Sequence, residues 1–201
     1  MSESSLVPEN ETGAGSDTEH SITFSSTEEA QQFFEVVKQR LLNVNNWHLL
    51  SGQASAVFIL TDEKGKEVSR TAQLGDCIKI DIPGPGSLTG KGFDWVQIEA
   101  VEDSSSETID VISLRVRPCD SPLVTSSKVA HFFSEESSST FMVKRESKKI
   151  TASVHGRNEK PNVKPNNVID KLRNAVIATG AILGLNKPQW KSLVEGLLQS
   201  K

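Results

Sequence analysis

Two periodicities run along this chain, a two-residue alternation through its middle and a three-to-four-residue repeat near either end, so strands flanked by amphipathic helices are predicted. Ser21 to Ser25 alternates polar with apolar, as a half-buried strand does. Ser26-Thr27-Glu28-Glu29 then has the form of a capping box. Behind it Ala30, Phe33, Phe34, Val37, Leu41 and Leu42 fall on one helical face, and Asn43, Asn45 and Asn46 end the run. Trp47 to Ser51 fits a last short helical turn. Strands are predicted at Ser55 to Thr61, Glu67 to Gln73, Asp76 to Ile82, Phe93 to Val101, Thr108 to Arg117, Ser139 to Arg145 and Ile150 to Gly156. Several are polar on one face, which suits an antiparallel sheet with one wet side.

Two long connections interrupt the strands, Pro83 to Gly92 and Pro118 to Ser138. Within the second, Lys128 to Phe133 fits a short helix or an edge strand equally well. After Pro161 and Pro165 the helical repeat returns. Asn166 or Asn167 can cap a helix that buries Val168, Ile169, Leu172, Ala175, Val176, Thr179, Ile182 and Leu183 and closes at Gly184. Asn186 offers a second cap, Pro188 sits in the first turn, and Trp190, Leu193, Val194, Leu197 and Leu198 form the next buried stripe. The chain therefore ends in two consecutive helices, or in one with a break at Gly184. Residues 1 to 20 hold almost nothing apolar and are expected to be a disordered tail, leaving 21–201 as a single α+β domain.

Composition narrows the function. The formal charge of −4 opposes attraction to phosphate polymers, so a nucleic-acid partner is not expected. Lys144, Arg145, Lys148 and Lys149 crowd one stretch, but it alternates like a solvated hairpin. No apolar run reaches the length of a membrane span, and the first ten residues lack the basic and apolar regions of an export signal, so a cytoplasmic protein is expected. Cys77 and Cys119 stand apart from each other and from histidine, and His20, His48, His131 and His155 contain no pair at ligand spacing. No metal site or cofactor is expected.

Catalytic motifs fail on particular residues. Gly84 to Gly92 follows a strand and contains Gly90-Lys91, yet Pro85 and Gly92 occupy positions where a phosphate loop needs Gly and Ser or Thr. No Gly-x-Ser-x-Gly elbow occurs. More informative is His155-Gly156-Arg157-Asn158-Glu159, where Arg157 offers a planar anion clamp and Glu159 a base or an ion-pair partner. Both are also at home in a surface turn. Arg115 and Arg117 share one face of a strand: turned inward they would hold an anionic head group, turned outward they would solubilise the sheet. His131 precedes Phe132 and Phe133 in a long loop and fits either a pocket wall or a structural role.

The predicted architecture is α+β: a curved antiparallel β-sheet of about seven strands packed against a C-terminal helical region, with an N-terminal helix. Over residues 21 to 199 this order of elements resembles the helix-grip fold of the START and Bet v 1-like superfamily. The resemblance implies a cavity between sheet and final helix for a lipid-like or other hydrophobic small molecule, with Pro83 to Gly92 and Pro122 to Ser139 as its mouth. Trp95, Phe132, Phe133 and Ile182 are then the candidate walls, and Trp95, Arg115, Arg117, His131, Phe132, Arg157 and Glu159 the candidate ligand-binding residues. Two alternatives stay open. One is an interaction module or homodimer that docks through an exposed Trp190 and the terminal helix. The other is an enzyme with a dispersed site around Arg157, Glu159 and a histidine.

Overall fold

The computed structural model describes residues 7–51, 56–82, 87–124, 129–164, 168–182 and 187–200. Its elements are β1 (Ala14–Thr23), α1 (Thr27–Leu42), a 3-10 turn (Val44–Asn46), α2 (Trp47–Ser51), β2 (Val57–Thr61), β3 (Cys77–Asp81), β4 (Asp94–Ser105), β5 (Ile109–Pro118), β6 (Ser138–Glu146), β7 (Lys149–Glu159), α3 (Val168–Ile182) and α4 (Lys187–Leu197). The seven strands form one antiparallel sheet in the order β1-β7-β6-β5-β4-β3-β2. From β2 to β7 the chain is a meander. The helical segment α1–α2 carries it from one edge of the sheet, at β1, to the other, at β2.

Side-chain parity decides which sheet face is covered. Leu60, Ile78, Ile98, Ile112, Leu114, Val143 and Ile150 are buried on one face. They pack with Phe34, Val37 and Leu41 of α1 and with Leu193, Val194 and Leu197 of α4. The start of α1 is fixed as its sequence predicts, because the Ser26 hydroxyl accepts from the Glu29 N–H at 3.1 Å. Trp47 is fully buried between Phe58 and Phe141, and its Nε1 donates to the Leu41 carbonyl at 3.0 Å. This satisfies the one polar side-chain atom of Trp47.

Several expectations change. The first strand begins at Ala14 rather than Ser21, so residues 14 to 20, expected in the tail, pair with β7 from Glu159 to Ala152. Backbone pairing and the cross-strand contacts of Asp17 hold this strand, and neither leaves an apolar signature in the sequence. Glu67 to Gln73 is not a strand. It makes one bridge, Thr61 to Glu67, and then turns back to α1, where the Ala72 N–H donates to the Leu42 carbonyl at 2.9 Å. Between Val129 and Phe133 there is neither helix nor strand, only isolated bridges from Val129 to Asp120 and from Phe133 to Pro161. Arg145, expected on a solvated hairpin, is fully buried beside Asp110 and also donates to the Ser147 carbonyl at 3.1 Å. The proposed caps Asn166, Asn167 and Asn186, together with Leu183 and Gly184, lie outside the described residues, as does the side chain of Ile182.

Candidate ligand cavity

The covered face of the sheet is not packed solid. A cavity of about 450 Å³ lies between it and the two C-terminal helices, within the range typical of small-molecule sites. Phe58, Ile78, Ile80, Val96, Val116 and Phe141 form its floor. Val176, Ile177 and Gly180 of α3 and Gln189 and Trp190 of α4 form its roof, while His131, Phe132 and Phe133 close one end. Trp190 faces inward, 5.5 Å from the Phe141 ring and 6.0 Å from Phe58, so the exposed docking tryptophan of the interaction reading is not found.

The roof helix α3 is held by polar groups. The buried Asp170 carboxylate accepts from the N–H groups of Leu88 and Thr89, both at 2.9 Å, and from the Thr89 hydroxyl at 2.6 Å. Arg173, also buried, meets Asp94 of β4 through two nitrogens. Asn174 donates to the Asn162 carbonyl at 3.1 Å, and Asn162 in turn donates to the carbonyls of Val129 and His131, each at 3.1 Å. Residues 170, 173 and 174 share one helical face. That face is turned inward, so Ile169 and Leu172, expected in the core, are 65 and 68 % exposed, while Val176, 65 % exposed, borders the cavity instead of packing in the core. Periodicity alone picks the apolar stripe. The buried polar network wins because each of its members is paired.

His131 sits at the end wall, 6 % exposed, with its ring stacked on Phe132 at 4.2 Å between centroids. Its Nδ1 accepts the Phe133 N–H at 2.9 Å, which leaves the ring proton on Nε2. Burial pushes its pKa down to about 4; Asp94 opposes this and Arg173 adds to it. The ring is therefore neutral at physiological pH.

Glu159 reaches the same cavity through a bulge. Ala152, Val154 and Gly156 point to the covered face, so plain alternation would place Glu159 on the other. The β1–β7 register slips between Ala14 and Ser16, and Asn158 takes a φ of 55°, which re-aims Glu159 inward. Asn158 is fixed there by its side-chain oxygen, which accepts from the N–H groups of Glu11 at 2.8 Å and Thr12 at 2.9 Å. The carboxyl lies over Gly156: a Cβ on that residue would stand 2.2 Å from Glu159 Oε1. Only glycine leaves the space. Ser16 Oγ donates to Glu159 Oε1 at 3.3 Å, while burial pushes the Glu159 pKa above its ordinary value.

Of the seven ligand-binding residues expected from sequence, His131, Phe132 and Glu159 line the cavity. Trp95 does not. Its indole is buried on the opposite face with Cys77 and Ala130, and Nε1 donates to the Gly90 carbonyl at 3.2 Å. Arg115 and Arg117 also lie on that face, where both clasp Glu99, at 2.6 and 2.7 Å. Arg157 turns outward to Asp17 at 2.8 Å and to the Ser16 and Gly156 carbonyls, so the bulge separates it from Glu159. His155 pairs with Asp17 on the same outer face. The wall residues missed from sequence, Phe58, Phe141 and Trp190, share parity with the core positions of their elements. That signal marks them as inward without showing that they border a void. Among the described residues no group of three metal-binding side chains occurs.

Sheet order, helix placement and the cavity between them define a helix-grip α+β protein. Neither a family model nor a curated protein matches the chain. Solved structures do match, at low identity. A hypothetical protein from Helicobacter pylori is 12 % identical with a TM-score of 0.49, the match covering 98 % of this chain and 93 % of that one. A truncated norcoclaurine synthase from Thalictrum flavum is 10 % identical with a TM-score of 0.37, over 96 % and 100 % of the two chains. A major latex-like protein from Panax ginseng is 15 % identical with a TM-score of 0.35, over 85 % and 96 %.

Proposed function

We propose that this protein binds a hydrophobic or lipid-like small molecule in the cavity between the sheet and the C-terminal helices. The observation that supports the reading is the cavity itself: a void of about 450 Å³ walled mainly by aromatic and aliphatic side chains, in an interior that would otherwise be close-packed. Empty, it forgoes the dispersion contacts of its lining; an apolar occupant restores them. The reading does not need the arginines named from sequence, which are engaged with carboxylates on the other face.

The test is uptake of a neutral fluorescent probe, N-phenyl-1-naphthylamine, together with native mass spectrometry of the purified protein. Saturable probe binding, or a co-purified apolar molecule, is expected. Ala56→Phe places a ring in the void from the edge of β2, where Ala56 is 5 % exposed and lines the cavity, and should reduce uptake about tenfold or more while the chain stays folded. A wild-type protein that takes up no probe and carries no molecule would refute the proposal.

A further inference from the structure

We propose that the cavity selects apolar molecules carrying a protonated amine, with the Glu159 carboxylate as partner of the ammonium group. This rests on the binding function proposed above and specifies the head group of the ligand. Two groups among the described lining residues can titrate, Glu159 and His131. No lysine or arginine lines the wall among them. Arg173, whose charge acts on His131, is engaged with Asp94 and Asn174, and Arg157 is turned to Asp17 outside. An anionic head group would meet, among the described lining residues, a carboxylate and no counter-charge. A cationic one would find a carboxylate in a low-dielectric wall, where a charge-assisted hydrogen bond is strongest.

The geometry around Glu159 is built for that carboxyl. A slip in the β1–β7 register, the positive φ of Asn158 and the missing side chain of Gly156 together bring it to the inner face and make room for it. Packing alone would favour an apolar residue there, since Ala152 and Val154 fill the preceding inward positions of the strand. A buried acid weakens the fold in its charged form. His131, the other titratable group in the described lining, has its Nδ1 occupied as an acceptor and stays neutral, so it adds no positive charge to repel an ammonium.

The experiment compares three probes that share one alkyl chain: dodecylamine, dodecanol and dodecanoate. Each displaces N-phenyl-1-naphthylamine from the whole protein near neutral pH. The amine should bind about tenfold or more tighter than the alcohol, and dodecanoate weakest. Glu159→Gln should bring the amine down to the level of the alcohol. If the alcohol or dodecanoate binds tightest, or if the amine preference survives Glu159→Gln, the head-group assignment falls and the cavity reading stands. If none of the three displaces the probe, the head-group assignment falls alone; if the probe itself does not bind and no molecule co-purifies, both fall. Should Glu159→Gln not fold, the wild-type ranking is repeated in about 0.5 M salt, which screens surface attraction far more than a buried pair. A preference that persists supports the proposal, and one that vanishes overturns it.

Discussion

Acidification should destabilise this protein through His131 before most of its carboxylates titrate. The ring is buried at the cavity end, with a pKa near 4 in the fold against 6.5 for a free histidine. As pH falls through 6.5, the unfolded chain takes up a proton that the folded chain refuses, so stability declines until the ring itself titrates near pH 4. The gap of about 2.5 pH units, at 1.36 kcal/mol per unit, is worth about 3 kcal/mol, a large share of the 5–15 kcal/mol typical of a domain. Urea denaturation at intervals from pH 7.5 to about 4 measures it. His131→Asn removes the titrating ring and keeps an oxygen that can accept the Phe133 N–H, so the variant should lose most of the slope across that window. Against the opposing effect of burial, Asp17 is held below its ordinary range by His155 and Arg157, Glu99 by Arg117 and Arg115, and Asp110 by Arg145 and Ser105; all three contribute a further loss at lower pH in both proteins. Equal slopes in wild type and His131→Asn would refute the reasoning. A folded-state His131 ring signal titrating near 6.5 by NMR would do the same.

Other outcomes follow from the same contacts. Arg173→Met strands the Asp94 carboxylate in the interior, at a cost of about 3–5 kcal/mol, and α3 should lose amide-exchange protection before the sheet does; uniform protection would contradict a polar latch. Glu159→Gln should be more stable than wild type above the raised Glu159 pKa, and the difference should shrink as pH falls below that pKa and be gone below the ordinary carboxylate value of 4.5, where the acid is protonated in folded and unfolded chains alike. Gly156→Ala places a methyl group 2.2 Å from Glu159 Oε1 and 2.5 Å from Ser16 Oγ, so about 1–3 kcal/mol of stability should be lost in chemical denaturation. Phe141→Ala removes a ring packed on Trp47 and Trp190 and should cost about 3–5 kcal/mol while enlarging the cavity, which larger neutral probes would report.

The α+β class, the capped α1, six of the seven strands and the inward stripe of α4 could be read from local pattern, because each buries an apolar face at a fixed period. β1 was legible only from Ser21 onward: edge pairing to β7 and the contacts of Asp17 with His155 and Arg157 stabilise its first half without burying apolar side chains. Glu67 to Gln73 misled for the converse reason, since extended residues without a partner strand are only loop.

The cavity was decided by tertiary structure alone. Alternation assigns Phe58 and Phe141 to the core side of the sheet, but whether a helix fills the space above them depends on where α3 docks. That docking follows Asp170, Arg173 and Asn174, whose partners Leu88, Thr89, Asp94 and Asn162 are distant in sequence or lie in loops. Sequence named Glu159 and Arg157 as neighbours with one shared task. The bulge at Asn158 sends them to opposite faces, because a single inserted residue inverts the alternation on which such a reading depends.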